Sequence, residues 1–226
     1  MCGPTPAPRV EAVAGPRLLP RIGDSAADFT AQTTHGEVTF SQWREGKWTI
    51  LFSHPADFTP VCSTELVEFG KRVKEFEKRN VKMIAISVDS IHSHLAWIQN
   101  LAKIMDCRLP FPIIADSTRK VSELYGMIHP GESATVTVRA LFAIDPKGTI
   151  RAIIYYPLNI GRNVDEVLRV VDALQTADGK GVACPVNWKP GDKVIVPPPK
   201  SEKEVDDRLA LQNVERLDFY LTKKSL

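Results

Sequence analysis

Short, continuously apolar runs alternate with segments of helical periodicity through the middle of this 226-residue chain. The runs at 48–54, 81–89 and 111–116 are predicted to be strands. The segments at 60–79 and about 91–105 carry apolar residues every three or four positions, which predicts helices. Strands that are apolar along their whole length need cover on both faces. The pattern therefore predicts an α/β fold, in which helices pack on both sides of one sheet.

The pattern changes after a short helix predicted to end at Gly126. Two apolar runs, at 139–145 and 149–157, are separated by Asp-Pro-Lys-Gly, whose proline and glycine positions suit a type I turn. They are predicted to form an antiparallel hairpin, and residues 29–40 a second one. A helix with Asn163 as its N-cap follows the first hairpin.

Three segments differ in character. Residues 1–20 contain five prolines and two glycines, which predicts a mobile N-terminal tail. Residues 21–175 hold the strands and helices described above. Residues 176–226 form a polar extension, in which Ser201 caps a charged helix reaching about Asn213. Such a polar segment cannot build its own core, so we expect the extension to pack on a partner subunit.

Charge and hydropathy exclude several classes of partner. The chain has 29 basic and 27 acidic residues and no run rich in lysine or arginine, which argues against nucleic acid and anionic membranes. No apolar stretch approaches the roughly 20 residues that span a bilayer. Residues 1–20 lack the apolar centre of a signal peptide. We therefore expect a cytoplasmic protein.

The four cysteines are scattered through the chain: Cys2, Cys62, Cys107 and Cys184. No Cys-x-x-Cys pair is present, which argues against a zinc site and against a dithiol of the thioredoxin type. A cytoplasmic location also disfavours structural disulfides.

Cys62 lies where strand 48–54 passes into the helix predicted to begin at Pro60. Thr59 suits the N-cap and Pro60 the first helical position, so Cys62 falls in the first turn. Free N–H groups and the positive end of the helix dipole favour an anion there, and the thiolate is the reactive form of cysteine. On position alone, a small buried core cysteine is the commoner interpretation.

The string Ser-His-Pro-Ala-Asp-Phe-Thr-Pro-Val-Cys at 53–62 resembles the active-site signature of the peroxiredoxins, in particular their one-cysteine branch. The resemblance extends over about residues 21–199. It implies a thioredoxin-like fold with the peroxiredoxin elaboration and a small C-terminal extension. It also implies a thiol-specific peroxidase that reduces hydrogen peroxide and organic hydroperoxides through a Cys62 sulfenic acid, with no cofactor and no metal.

The resemblance assigns roles to four residues. Cys62 is the nucleophile, and Arg139 is its electrostatic partner. Thr59 holds the peroxide through its hydroxyl, and Pro55 shields the cysteine. Arginine suits its role because it stays charged and offers several donors to a departing oxygen. Without the resemblance, Arg139 would be interpreted as a surface cation at a strand end, and Thr59 as an N-cap alone.

Three further positions match the family. Glu65 is placed to orient an arginine, Arg162 resembles the second arginine near the peroxiredoxin pocket, and His54 matches the histidine typical of the one-cysteine branch. Each alone is more often structural. Three other histidines have no matching partner in the sequence and are interpreted as surface or packing residues: His92, His94 and His129.

The chain departs from some archaeal-type relatives, which end in a segment with two cysteines. Arg216 and Thr222 stand at those positions. The resemblance therefore implies a one-cysteine cycle, in which an external thiol such as thioredoxin, glutaredoxin or glutathione regenerates Cys62. Cys184, in the extension, remains an alternative resolving cysteine, and Cys107 is expected to pack in or beside the core. The implied assembly is a homodimer, extended into a decameric or other ring.

Two other functions remain open at this point. A redox-controlled holdase chaperone or peroxide sensor would also use an oxidisable cysteine. A thioredoxin-like disulfide exchanger is the weakest reading, because no second cysteine lies near Cys62 in the sequence.

Overall fold

The computed structural model describes residues 19–226. The tail predicted for residues 1–20, with Cys2 in it, falls almost wholly outside the described residues. In chain order, the elements are β1 (Thr30–Thr33), β2 (Gly36–Thr39), α1 (Phe40–Arg44), β3 (Trp48–Ser53), α2 (Pro60–Lys71), α3 (Val73–Lys78), β4 (Val81–Ser87), α4 (Ile91–Met105), β5 (Ile113–Ala115), α5 (Lys120–Leu124), β6 (Arg139–Ile144), β7 (Ile150–Tyr156), α6 (Val164–Lys180), β8 (Val194–Ile195), α7 (Glu202–Ala210), β9 (Glu215–Asp218) and β10 (Leu221–Lys224).

The centre of the molecule is a seven-stranded sheet in the order β2-β1-β5-β4-β3-β6-β7. Strands β3, β4 and β5 are parallel, whereas β6 runs antiparallel to β3 and β7 antiparallel to β6. One face is covered by α2, α4 and α6, which contribute Leu66, Trp97 and Val167 to a buried cluster. The other face packs on α1 and α5, through Phe40 and Val121. The predicted α/β fold is confirmed.

Strand β3 is central in the sheet, and its position explains where the site forms. All six of its residues are buried. Its carboxyl end meets the beginning of β6, because Ser53 Oγ donates to the Val138 carbonyl at 2.6 Å and accepts from the Ala140 amide at 3.0 Å. The antiparallel direction of β6 therefore brings Arg139 to the edge of the sheet where the chain leaves β3 for α2.

Most predicted elements are present, but one helix is divided. The helix predicted at 60–79 consists of α2 and α3, separated at Arg72, whose φ of −100° and ψ of 9° are not helical. Gly70 just before the break has a low helix propensity. A Cβ at this glycine would come within 2.9 Å of Cys107 Sγ, so close packing against the neighbouring segment accounts for the glycine.

The C-terminal part differs more from the prediction. Helix α6 continues through residue 175, where the domain boundary was predicted, and ends at Lys180, followed by Gly181 in the left-handed conformation. Helix α7 begins with Ser201 as N-cap, as predicted, but ends at Ala210 rather than near Asn213. Strands β8, β10 and β9 form a three-stranded sheet that the sequence did not predict.

Arg216 and Thr222 are opposite each other in the pair β9–β10. The Arg216 guanidinium donates to the carbonyl oxygens of Arg208 and Leu211, at 2.8 and 2.9 Å, and so caps the end of α7. The side chain thus joins the hairpin to the helix. Among residues 19–226 we find no helix with the length and apolar character that a bilayer crossing demands.

Candidate active site

Cys62 occupies the position that the sequence predicts, in the first turn of α2. Thr59 precedes the helix with an extended backbone, at φ −108° and ψ 148°, and Pro60 is the first helical residue. The cysteine is fully buried. Its thiol therefore lies where unpaired helix N–H groups and the helix dipole favour negative charge.

Arg139 reaches Cys62 from the beginning of β6. Its Nη1 is 3.4 Å from Cys62 Sγ and 2.6 Å from Glu65 Oε2. Its Nε and Nη2 both donate to the Leu158 carbonyl, at 3.1 and 2.5 Å. Arg139 is only 2% exposed, so the interpretation of this residue as a surface cation is wrong.

Glu65 joins Arg139 to a second arginine. The Arg162 amide and Nε donate to Glu65 Oε1 at 2.7 and 2.8 Å, and Arg162 Nη2 donates to Glu65 Oε2 at 3.0 Å. Arg162 also lies over the rings of Phe52 and Phe69, with its guanidinium carbon 5.3 and 5.7 Å from their centroids. We call Glu65, Arg139 and Arg162 the arginine cluster.

The arginine cluster has an excess of positive charge. Burial alone would raise the pKa of Glu65, but the Arg162 charge and hydrogen bonds, together with the Arg139 charge, outweigh it and lower that pKa. The carboxylate is therefore ionised, and two guanidiniums face one carboxylate. Buried charge needs compensation. The side of the arginine cluster that carries this excess charge contacts the Cys62 sulfur through Arg139.

The segment between β3 and α2 carries the other matched residues. Pro55 is buried. Thr59 is half-buried, and its hydroxyl donates to the Ala56 carbonyl at 2.8 Å. Thr59 thus holds the N-cap position without a side-chain cap bond to the helix. Phe58 has a φ of +54°, a conformation that costs a bulky residue about 1–3 kcal/mol and persists only where surrounding contacts enforce it.

His54 belongs to a second buried group. Its Nε2 is 2.9 Å from Asp57 Oδ1, and His94 Nδ1 is 2.8 Å from Asp57 Oδ2. Both imidazoles are fully buried. We call His54, Asp57 and His94 the histidine cluster. Sequence analysis missed Asp57 and was wrong to leave His94 without a partner, since no local pattern signals a contact between residues 37 positions apart.

The histidine cluster also has a donor set that a transition metal accepts. Its ligand atoms lie within 4.8 Å of one another. One nitrogen of each imidazole, however, already lies at hydrogen-bond distance from its own oxygen of the Asp57 carboxylate. The three side chains therefore form a hydrogen-bonded network.

The other two described cysteines lie in ordinary packing environments. Cys107 is buried and donates to the Val67 carbonyl at 3.7 Å, as the core placement predicts. Cys184 is half-buried and donates to the Ala173 carbonyl at 3.5 Å. Burial raises the pKa of each thiol. Neither environment activates a thiol.

His92 and His129, the other two histidines predicted to be surface or packing residues, lie in different environments. His92 is exposed on α4, as expected of a surface residue. His129 packs on Tyr155, with ring centroids 4.9 Å apart, and its Nε2 is 3.2 Å from the Gly126 carbonyl. Both agree with surface or packing roles.

Comparison with known proteins places this geometry in a family. Residues 22–153 match the AhpC/TSA family, and residues 173–210 match the C-terminal domain of 1-Cys peroxiredoxin. A peroxiredoxin of Aquifex aeolicus is 53% identical over 218 residues, which cover 92% of this chain and 98% of that protein. A peroxiredoxin of Archaeoglobus fulgidus is 49% identical over 85% of this chain and 91% of its own length.

Two solved structures similar to this chain are also peroxiredoxins. A yeast mitochondrial 1-Cys peroxiredoxin is 44% identical, with a TM-score of 0.82 over 91% of this chain and 99% of that one. Peroxiredoxin 6 of Arenicola marina, in a cysteine-to-serine variant, is 36% identical, with a TM-score of 0.83 over 91% of this chain and 97% of that one.

The chain belongs to the peroxiredoxin family, and within it to the one-cysteine branch. It is accordingly a thiol-dependent peroxidase with a thioredoxin-like fold, and the expectation of fold and enzyme class is confirmed.

Proposed function

We propose that Cys62 is the nucleophile of this peroxidase and that Arg139 is its electrostatic partner. The observation that carries the proposal is the 3.4 Å contact between Arg139 Nη1 and the buried Cys62 sulfur. The excess positive charge of the arginine cluster supports a thiolate at that sulfur. A positioned guanidinium also faces the place where negative charge develops on a departing oxygen.

The Cys62 thiolate attacks one oxygen of the hydroperoxide, the sulfur–oxygen bond forms, and the oxygen–oxygen bond breaks. The sulfur loses two electrons and becomes a sulfenic acid, while the other oxygen leaves as hydroxide or alkoxide and takes up a proton. In this proposal the Thr59 hydroxyl holds the peroxide and Pro55 covers the sulfur, while Glu65 holds both arginines in place.

The test of the nucleophile is Cys62→Ser, with Cys107→Ser as the matched control. A serine hydroxyl is not ionised near pH 7, so Cys62→Ser should abolish peroxide consumption, whereas Cys107→Ser should leave it unchanged. Intact-protein mass spectrometry after one equivalent of peroxide should show one added oxygen that disappears in Cys62→Ser. Activity retained in Cys62→Ser would assign the chemistry to another thiol.

We further propose that an external thiol regenerates Cys62. It attacks the sulfenic sulfur, releases water and forms a mixed disulfide, which a second thiol then reduces. The yeast mitochondrial neighbour is described as resolved through glutathione and thioredoxin systems. In this chain Cys107 and Cys184 both have thiols of raised pKa, which supports a reductant from outside the chain.

Cys184 provides the sharpest test of the external reductant. After peroxide treatment, wild-type protein and Cys184→Ser should give the same pattern on non-reducing gels. A disulfide-linked dimer band that requires Cys62 and vanishes in Cys184→Ser would make Cys184 the resolving cysteine. Thioredoxin and glutathione with glutaredoxin should be compared as reductants in turnover assays.

The C-terminal extension supports a homodimer as the working state, and a second copy of this chain is the partner that we propose for it. Large apolar side chains are exposed along the extension: Leu209, Leu211, Leu217, Phe219 and Tyr220. Leu217→Asp should weaken the dimer in sedimentation velocity, while Lys203→Asp, on an exposed position of α7, should not. An unchanged sedimentation coefficient in Leu217→Asp contradicts this surface. Particles of ten subunits would extend the proposal to a ring.

A further inference from the structure

The groups that face the imidazoles of the histidine cluster indicate where its protons lie, because a carboxylate and a main-chain carbonyl can only accept. The Asp57 carboxylate accepts from both neighbouring imidazoles, so His54 Nε2 and His94 Nδ1 each carry a hydrogen. His94 Nε2 lies 3.2 Å from the Ile114 carbonyl, which can only accept. His94 therefore donates from both nitrogens, which makes it an imidazolium.

Charge balance agrees with this assignment. Burial would raise the pKa of Asp57, but the hydrogen bonds from His54 and His94, together with the charge of His94, outweigh burial and hold that pKa well below its usual range. The buried carboxylate is thus an anion that needs one cation. His94 supplies that cation, and His54 is left neutral.

His54 is consequently held in one tautomer. Its Nε2–H is used by Asp57, and its Nδ1 is buried without a hydrogen-bond partner among the described residues. Burial lowers the pKa of His54, as does the charge of His94, against an opposing effect of Asp57 and Asp89. These three residues are the titratable groups that act on the ring, and Trp97 packs on it with centroids 5.2 Å apart. The Nδ1 lone pair is therefore free to accept.

Asp57 also fixes the position of segment 54–59, which precedes Cys62 in the chain. Its amide donates to Asp89 Oδ2 at 3.0 Å, while its carboxylate is held from α4 through His94. The next residue is Phe58, with its positive φ. A strained residue of this kind needs neighbours that fix it. The contacts of Asp57 provide them from α4, through His94, and from the loop that precedes α4, through Asp89.

We propose that His94 is a positioning residue for the peroxidase site, which acts through Asp57 to keep His54 as an Nδ1 acceptor and to hold segment 54–59 against the first turn of α2. The kinetic part of this inference rests on the proposed role of Cys62. The assignment of protons does not rest on it.

The first test is nuclear magnetic resonance of the full chain with ring-¹⁵N-labelled histidine near pH 7. We expect His94 to be protonated on both nitrogens and His54 on Nε2 only, with signals assigned through His94→Asn and His54→Asn. The same spectra in Cys62→Ser protein should keep both signals, which separates this inference from the role of Cys62. A wild-type spectrum without a doubly protonated imidazole overturns the proposal.

The second test is kinetic. His94→Asn should lower the rate constant of peroxide reduction by about tenfold to a hundredfold, because small displacements of reacting groups have effects of that size. It should also move the acid limb of the pH profile to higher pH, since removing the neighbouring imidazolium raises the pKa of His54. A lowered rate with an unmoved acid limb would indicate a purely structural loss and would overturn the positioning role.

His92→Asn is the matched control, because His92 lies on the same helix and is exposed. It should change neither the rate nor the pH profile. Folded His94→Asn protein with a wild-type rate and pH profile overturns the positioning role. Should His94→Asn fail to fold, the wild-type spectrum still decides the assignment on which the proposal depends.

Discussion

The arginine cluster and the histidine cluster share one plan and differ in their chemistry. Each buries a single carboxylate between two nitrogen bases, and both flank the segment that leads to Cys62. Guanidiniums stay charged at any physiological pH, whereas imidazoles titrate within it. The arginine cluster keeps one positive charge in excess, while the histidine cluster balances its charge internally. The permanently charged Arg139 thus lies at the Cys62 sulfur, whereas the titratable imidazoles lie where segment 54–59 is held in place.

The largest effect should appear when the carboxylate of the arginine cluster is neutralised. Glu65→Gln leaves two buried guanidiniums without their anion, so the free energy of unfolding should fall by about 3–5 kcal/mol. Urea denaturation measures this directly. Glu68→Gln is the control, because Glu68 is half-exposed on the same helix and its contact with Arg72 is 3.9 Å. Loss of the exposed ion pair between Glu68 and Arg72 should lower the free energy of unfolding by less than about 1 kcal/mol. Equal effects of the two variants would contradict the buried role of Glu65.

A smaller effect is expected from changing the shape of the cation and keeping its charge. Arg139→Lys retains a positive charge but cannot contact Cys62, Glu65 and Leu158 together, so peroxide reduction should fall roughly a hundredfold. Stopped-flow peroxide consumption measures the rate, and the rate of thiol alkylation against pH reports on the thiolate. If Arg139→Lys keeps the wild-type rate, a positive charge alone suffices and the shape of the guanidinium does not matter for peroxide reduction.

The smallest expected effect is a difference between the clusters in how their contribution to stability depends on pH. The folded-state pKa of His54 is lowered from 6.5, so the unfolded chain binds the proton first as pH falls. The stability difference between wild type and His54→Asn should therefore shrink below pH 6.5, by at most about 1.4 kcal/mol per pH unit. The pKa of Glu65 is lowered from 4.5, so the corresponding difference for Glu65→Gln should stay constant until pH falls below 4.5. The same pH dependence of the stability difference in both variants would contradict the view that the two clusters titrate separately.

Local patterns predicted much of this molecule because they depend on residues close in sequence. The strand–helix alternation, the first-turn position of Cys62 and the N-caps Asn163 and Ser201 are all set within a few positions. The break at Arg72 was missed, because Gly70 is explained by packing against the distant Cys107 rather than by helical periodicity. The small C-terminal sheet was missed because β8 and β10 pair across most of the extension.

The site shows the same division between local and distant signals. Resemblance to a family identified Arg139 as a candidate site residue. Its burial and its contact with Leu158, however, depend on where β6 meets β3. His94 was missed because its partner Asp57 lies far away in the sequence, in the connection between β3 and α2. Sequence spacing carries no information on such pairs until the sheet order is known.

One contact of Arg139 has a consequence for genetics. Two of its nitrogens donate to the main-chain carbonyl of Leu158, not to a side chain. Every amino acid carries that oxygen, so a scan of all replacements at position 158 would score the contact as dispensable even though the arginine depends on it. The path of the backbone through 157–162, and not the identity of the residue, is what selection has to preserve there.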